Sequence, residues 1–180
     1  MIIMLAGLPG TGKSVIAQEL AHALSGVVLD KDQIRAALFP STHITYTTEQ
    51  DDFCLNVMLQ TATYLLQQQP NEPIILDGRT FSHTYQVQLV EQRAAHLDVP
   101  LAIIECTCAD ETARQRLEQD VTSGRHLAGN RNYALYLAIK TRFEPIREPK
   151  LVVSTDHPLR DVIAQCITYI RMQHNQSITG

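Results

Sequence analysis

Short apolar runs alternate with longer helical patterns along the whole chain. Ile2-Ile3-Met4-Leu5, Val27-Val28-Leu29, Ile74-Ile75-Leu76-Asp77, Leu101 to Cys106 and Leu151-Val152-Val153 are nearly unbroken in their apolar character. Runs this short read as strands, and their continuity indicates burial on both faces rather than one. Helical patterns follow them: Lys13 to about Leu24, a short one after Asp32, about Ser82 to Leu97, one from about Asp110, and Pro158 to about Met172. Thr48 to Gln69 reads as an additional helix, with Phe53, Val57 and Tyr64 among its spaced apolar positions. Pro70-Asn71-Glu72-Pro73 ends it, because two prolines cannot continue the hydrogen-bond ladder. Strand–helix repetition of this kind feeds right-handed parallel crossovers. It predicts an α/β, three-layer, doubly wound fold: five parallel strands with helices on both faces. No internal repeat marks a second domain, so residues 1–180 are expected to form one.

Composition changes this picture little. A chain of 180 residues with 44% apolar and 19% charged content suits one self-sufficient core. A net charge of −4 and a pI near 5.9 argue against a sequence-independent hold on DNA or RNA, while leaving room for a local basic cleft. Met1 to Ala6 is too short for a signal-peptide core or a membrane span and runs straight into glycines, so a cytoplasmic protein is expected. The cysteines Cys54, Cys106, Cys108 and Cys166 lack neighbours at zinc spacing and read as buried reduced thiols. Period-2 geometry would set Cys106 and Cys108 on the same face of a strand.

The chemistry begins at Gly7-Leu8-Pro9-Gly10-Thr11-Gly12-Lys13-Ser14, a complete G-x-x-x-x-G-K-[ST] directly after a strand and before a helix. Its glycines let successive main-chain amides curl around phosphate oxygens, and the helix starting here, through Val15, turns its positive dipole end toward the same anion. Lys13 brings a point charge to the β- and γ-phosphates, and the Ser14 hydroxyl is placed to ligate Mg²⁺. Neither N-K-x-D nor D-x-x-G occurs, which excludes a regulatory GTPase and leaves ATP as the expected nucleotide.

The second strand ends in Leu29-Asp30-Lys31-Asp32-Gln33-Ile34-Arg35, at the sheet edge where open α/β folds bind ligands. Asp32 and Arg35 would share a helix face at i, i+3; a carboxylate there could take the proton of an attacking hydroxyl, and an arginine could grip an acceptor. Asp32 as a plain helix N-cap is the simpler reading. Asp77 after Ile74-Ile75-Leu76 has the position of a second Mg²⁺-associated carboxylate, or else of a strand-end turn residue, with Arg79 close behind.

GLPGTGKS, L-D-K-D-Q-I-R and I-L-D-G in this order resemble the P-loop kinases that include polynucleotide 5′-hydroxyl kinases, adenylylsulfate kinases and zeta-toxin-type kinases. The resemblance implies a P-loop NTPase fold with strand order 2-3-1-4-5, Asp32 as the base that deprotonates the acceptor hydroxyl, and Arg35 as an acceptor contact. Asp30, as a carboxylate acting on Mg²⁺ through water, corresponds less closely, because some relatives carry another residue there. Such kinases place lid arginines after the fourth strand, often as R-x-x-x-R; Arg116 fits the first place, but Asp120 occupies the second. Arg114, Arg125 and Arg131 are further candidates, in a lid expected at about 112–132; Arg114, Arg116 and Glu118 could equally be a solvated face. Phe143-Glu144-Pro145 also resembles these kinases, and the loop after the last strand is expected to bring Thr155 and Asp156 near adenine.

The sequence therefore points to an ATP- and Mg²⁺-dependent kinase acting on a hydroxyl of a small molecule, or of a nucleoside or nucleic-acid end. The segment at about 39–72, with His43 and Tyr46, is expected to shape the acceptor pocket. A regulatory ATPase without an acceptor, and a polynucleotide 5′-hydroxyl kinase, are the alternatives; no membrane partner is expected.

Overall fold

The structure, a computed structural model, describes residues 1–123 and 132–176. Five strands, β1 (Ile2–Ala6), β2 (Val27–Asp30), β3 (Ile74–Asp77), β4 (Leu101–Thr107) and β5 (Leu151–Ser154), pair in parallel in the order β2-β3-β1-β4-β5. Among the described residues the α-helices are α1 (Lys13–Leu24), α2 (Lys31–Leu38), α3 (Thr48–Gln68), α4 (Thr84–His96), α5 (Asp110–Ser123), α6 (Tyr133–Thr141) and α7 (Leu159–Gln176).

The alternation along β1 shows why its run is unbroken. Ile2, Met4 and Ala6 enter one core with Leu55, Met58 and Leu59 of α3 and Val87 and Val90 of α4. Ile3 and Leu5 enter the other with Ile16 and Leu20 of α1 and Val162 and Cys166 of α7. Each face buries its own set, so every position must be apolar, and each Ile or Leu side chain removed from water contributes about 1.5–3 kcal/mol.

Several details differ from the sequence expectations. On α3 the core takes Cys54, Leu55, Met58, Leu59, Ala62 and Leu66, whereas Phe53 and Tyr64 face solvent and Val57 is half-buried. The three residues named from the sequence do recur near helical spacing, but the wider stripe one position along buries more apolar surface. The cap of α2 is Asp30, not Asp32: its Oδ1 accepts from the amides of Asp32 (2.7 Å) and Gln33 (3.2 Å). Strand β4 ends at Thr107, so Cys108 leaves the sheet and packs with Ala113, Leu117 and Tyr136, while Cys106 stays in the α1/α7 core. Helix α6 had no expectation of its own. Among the described residues no helix is long and apolar enough to cross a membrane, and no group of three or more His, Cys, Asp or Glu is arranged to hold a metal.

Candidate active site

The phosphate loop leaves β1 and enters α1 through residues held in the left-handed region. Gly7 has φ 131°, and a Cβ there would lie 2.2 Å from the carbonyl oxygen of Cys106, so no other residue fits without displacing β4. Gly12 caps α1 at φ 78° with no side-chain acceptor, and of the first-turn amides Val15 N turns back to Gly12 O (3.2 Å), so the helix start offers its dipole and the Ser14 amide to an anion. Lys13, buried, folds back so that Nζ donates to the carbonyls of Gly7 (2.9 Å) and Leu8 (2.8 Å). Ser14 and Val15 are exposed on the opening of the loop.

Beside the loop, the in-register pairing of β2 with β3 sets Asp30 next to Asp77. Burial, and then the Asp77 charge, push the Asp30 carboxyl above the usual carboxylate range. Asp77 is 1% exposed, and neither carboxylate oxygen has a hydrogen-bond partner. A buried carboxylate with no donor is costly, and a cation or its bound water is the natural partner for it. Mg²⁺ keeps several waters and takes one or two carboxylates plus substrate phosphates, so Ser14, Asp77 and Asp30 are a donor set that suits it.

The charged residues that follow β2 and β3 meet α3. Arg35, 2% exposed, donates from Nη1 to Asp32 Oδ1 (2.6 Å) and from Nη2 to Asp51 Oδ1. Lys31 Nζ donates to Asp51 Oδ1 (2.9 Å) and lies 3.4 Å from Asp32 Oδ1. Arg79, also 2% exposed, donates to Asp52 Oδ1, and the Tyr85 hydroxyl donates to Asp52 Oδ2 (2.7 Å). The Arg35 guanidinium sits 5.0 Å from the centre of the Tyr46 ring, and Tyr46 holds a left-handed φ of 52° to reach it. Asp32 Oδ2 accepts no hydrogen bond from a described residue and is not sealed from solvent.

Burial lowers the Lys31 ammonium pKa to about 8, with Asp32 opposing the shift. The folded-state pKa lies below the ordinary 10.5, so the charged lysine weakens the fold below pH 8. That penalty is relieved as pH rises from about 8 to 10.5, where only the unfolded chain still holds the proton. Unfolding measured from pH 7 to 10.5 should show Lys31→Met lacking a stability gain of up to about 3 kcal/mol that the parent shows.

On the nucleotide side, Arg116 of α5 donates from Nη1 to Thr155 Oγ1 (2.8 Å) and Gly10 O (3.3 Å), and from Nη2 to Thr155 O (3.0 Å). It thus bridges the phosphate loop to the loop after β5. Arg114 is a surface residue paired with Glu118 (3.1 Å) on the solvated helix face. Asp156 is drawn to the start of α5, where Oδ2 accepts from Ala109 N (2.7 Å), and that bond lowers its pKa. Glu144 serves α4: Oε1 pairs with His83 Nδ1 (3.0 Å) and Oε2 accepts from Thr84 N (2.7 Å), which bring its pKa to about 2. Arg125 and Arg131 lie outside the described residues.

One cavity of about 550 Å³ joins the two halves. Pro9, Gly10, Gly12, Lys13, Ser14 and Val15 line it at one end, Asp30, Asp32, Arg35, Tyr46 and Arg79 at the other, with Arg116 and Thr155 beside the loop. Gly7, Leu8 and Thr11 support the loop from behind, Asp77 lies beneath the lining, and His43 stands away from it. Lys31 and Asp51, and Arg142 at the end of α6, also line the cavity and were not anticipated. Lys31 stood inside the acceptor motif itself. Asp51 and Asp52 looked like ordinary first-turn acids of a helix, favoured there by its dipole.

A family model for the AAA domain matches residues 2–144. The chain belongs to the AAA domain family. Solved structures extend this family member's likeness over nearly all of its length. A gluconokinase from Sinorhizobium meliloti superposes with a TM-score of 0.72 at 15% identity, over 99% of this chain and 96% of that one. APS kinase CysC from Mycobacterium tuberculosis, in complex with AMPPNP and APS, gives 0.71 at 16% identity, over 94% and 96%. Kti12 from Chaetomium thermophilum, in complex with ADP-AlF3, gives 0.69 at 16% identity, over 94% and 99%. No curated protein sequence matches. At these identities the likeness is one of fold, and this AAA-domain protein has the fold of the P-loop kinases.

Proposed function

We propose that the protein is an ATP-dependent kinase that transfers the γ-phosphoryl group to a hydroxyl of an acceptor bound beside Asp32. The observation that carries the reading is one cavity lined both by the phosphate loop and by Asp32, whose Oδ1 is held by Arg35. In this reading the amides of the loop and Lys13 hold the β- and γ-phosphates of ATP. Asp32 takes the proton from the acceptor hydroxyl as its oxygen bonds to the γ-phosphorus. The bond from that phosphorus to the β–γ bridging oxygen breaks, and ADP leaves with the electron pair. Arg35 holds Asp32 at Oδ1, which leaves Oδ2 for the acceptor in this reading. Mg²⁺, held by Ser14 and Asp77 with Asp30 acting through water, would supply charge neutralisation on the phosphates.

Arg116 takes a role at the nucleotide end, tethering the loop and Thr155 where the base would leave the cavity; Arg125 and Arg131 remain proposed lid arginines. Arg116→Ala should raise the KM for ATP about tenfold with kcat little changed, as expected for lost charge-assisted hydrogen bonds that serve binding. A loss concentrated in kcat would move Arg116 to the transferring phosphoryl group instead. The reaction itself is tested by measuring ADP release across a panel of sugars, nucleosides and 5′-hydroxyl oligonucleotides. Release that depends on one acceptor class is expected. Release indifferent to every acceptor would leave a regulatory ATPase.

A further inference from the structure

The first turn of α3 is tied down from two sides. Thr47 caps it, its Oγ1 accepting from Gln50 N (3.3 Å). The buried Gln50 side chain binds the preceding loop, donating to His43 O (2.9 Å) and accepting from Thr45 N (3.0 Å). Asp51, the next residue, therefore meets the charged groups after β2 from a fixed position. Its Oδ1 accepts from Arg35 Nη2 and from Lys31 Nζ (2.9 Å), and its Oδ2 lies 3.9 Å from Arg79 Nη1. Arg35 gives Asp32 only Nη1 (2.6 Å), while its buried Nε makes no hydrogen bond. Lys31 Nζ stands farther from Asp32 Oδ1, at 3.4 Å, than from Asp51.

A buried arginine facing one carboxylate commonly meets it fork to fork, with two parallel N–H donors on its two oxygens. Here the fork is divided between Asp32 and Asp51. From this division we infer that Asp51 is a positioning residue for the proposed base: by taking Arg35 Nη2 and the Lys31 ammonium, it holds both cations off Asp32 Oδ2. The inference rests on the kinase reading above and deepens it. Asp32 and Asp51 are the carboxylates within 4.0 Å of Lys31 and Arg35 among the described residues. Without Asp51, both cations fall to Asp32, and Arg35 closes its fork over the two Asp32 oxygens. A donor on Oδ2 competes with the attacking hydroxyl and stabilises the charged carboxylate, which makes it a weaker base. Asp51 thus acts through Arg35 and Lys31 without taking a proton itself.

Two measurements test this. In the first, Asp51→Ala is assayed with whichever sugar, nucleoside or 5′-hydroxyl oligonucleotide raises wild-type ADP release most. Its kcat should fall about 10- to 100-fold, part of the roughly 10²–10⁴ that a positioned base contributes, with the KM for ATP unchanged. Asp51→Asn keeps an oxygen for one of the two donors and should fall between; it carries the comparison if the alanine variant does not fold. Added to Asp32→Asn, either change should cost less than about twofold more, because the base it serves is already gone. An equal loss with and without Asp32, as a purely structural role would give, overturns the inference, and so does a loss confined to the KM for ATP. In the second, a crystal structure of the same Asp51 variant with AMPPNP and Mg²⁺ should show Arg35 donating to both Asp32 oxygens. Arg35 still on Oδ1 alone overturns the inference but spares the kinase reading. ADP release indifferent to every acceptor removes the kinase reading, and the crystal structure still decides whether Asp51 divides the fork.

Discussion

Asp32→Asn should lower phosphoryl transfer by about 10²–10⁴-fold, the usual contribution of a positioned general base. ATP affinity should stay within a factor of a few. The substitution is informative because asparagine keeps an oxygen for Arg35, whose Nη1 lies 2.6 Å from Asp32 Oδ1. Arg35 also keeps its bond to Asp51, so the buried guanidinium is not stranded. The change therefore removes proton-accepting capacity with little disturbance of the pocket. Single-turnover transfer and AMPPNP binding, measured side by side, separate the two effects. Retained turnover would eliminate Asp32 as the base, and a matching collapse of nucleotide binding would show that the loop had been disturbed.

The second expectation concerns Asp77 and runs in two directions at once. Both its oxygens are buried without a donor, and it stands beside Asp30 in the β2–β3 register. Removing that charge should stabilise the ligand-free protein, because an unpaired buried carboxylate costs more than a neutral amide. Asp77→Asn is expected to gain about 1–2 kcal/mol, seen as a rise of roughly 2–4 °C in Tm for each kcal/mol in a chain of this size. The same variant should lose Mg²⁺-dependent transfer by about 10²-fold or more, since a metal clamp on phosphate contributes several kcal/mol. The added stabilisation that Mg²⁺ brings to the AMPPNP complex should shrink in parallel. A variant that is destabilised and fully active would mean that Asp77 only closes a turn.

The elements with a strong period were legible before any coordinates. The strands announce themselves because a parallel sheet favours apolar residues on both faces, even where the outermost strand β5 leaves Val152 half exposed, and the phosphate loop because only glycine tolerates its backbone. Lys13, Ser14, Asp30, Asp32 and Arg35 sit in contiguous motifs, so proximity in sequence already implied proximity in space. The rest depends on how helices cross. Asp51 and Asp52 reach Arg35 and Arg79 only because α3 packs against both α2 and β3, bringing together residues 16 and 27 positions apart. Helix α6 carries little polar contrast: Tyr133-Ala134-Leu135-Tyr136-Leu137-Ala138-Ile139 is apolar nearly throughout, and neither a strand period nor a helical stripe stands out. Arg116 and Arg114 could not be told apart as functional and solvated residues by spacing alone. Two positions on a helix rotate a side chain from the phosphate loop to open water.

The pairing of Asp30 with Asp77 across β2 and β3 has a mechanical consequence. Neighbouring strands are about 4.8 Å apart, so the hydrogen-bond lattice itself works as a ruler that spaces two like charges at the sheet's edge. The two charges push against each other while the ladder beneath holds them in register. Under the proposed reading, a dication held by Asp77, with Asp30 acting through water, would offset that repulsion with attraction shared by both strands.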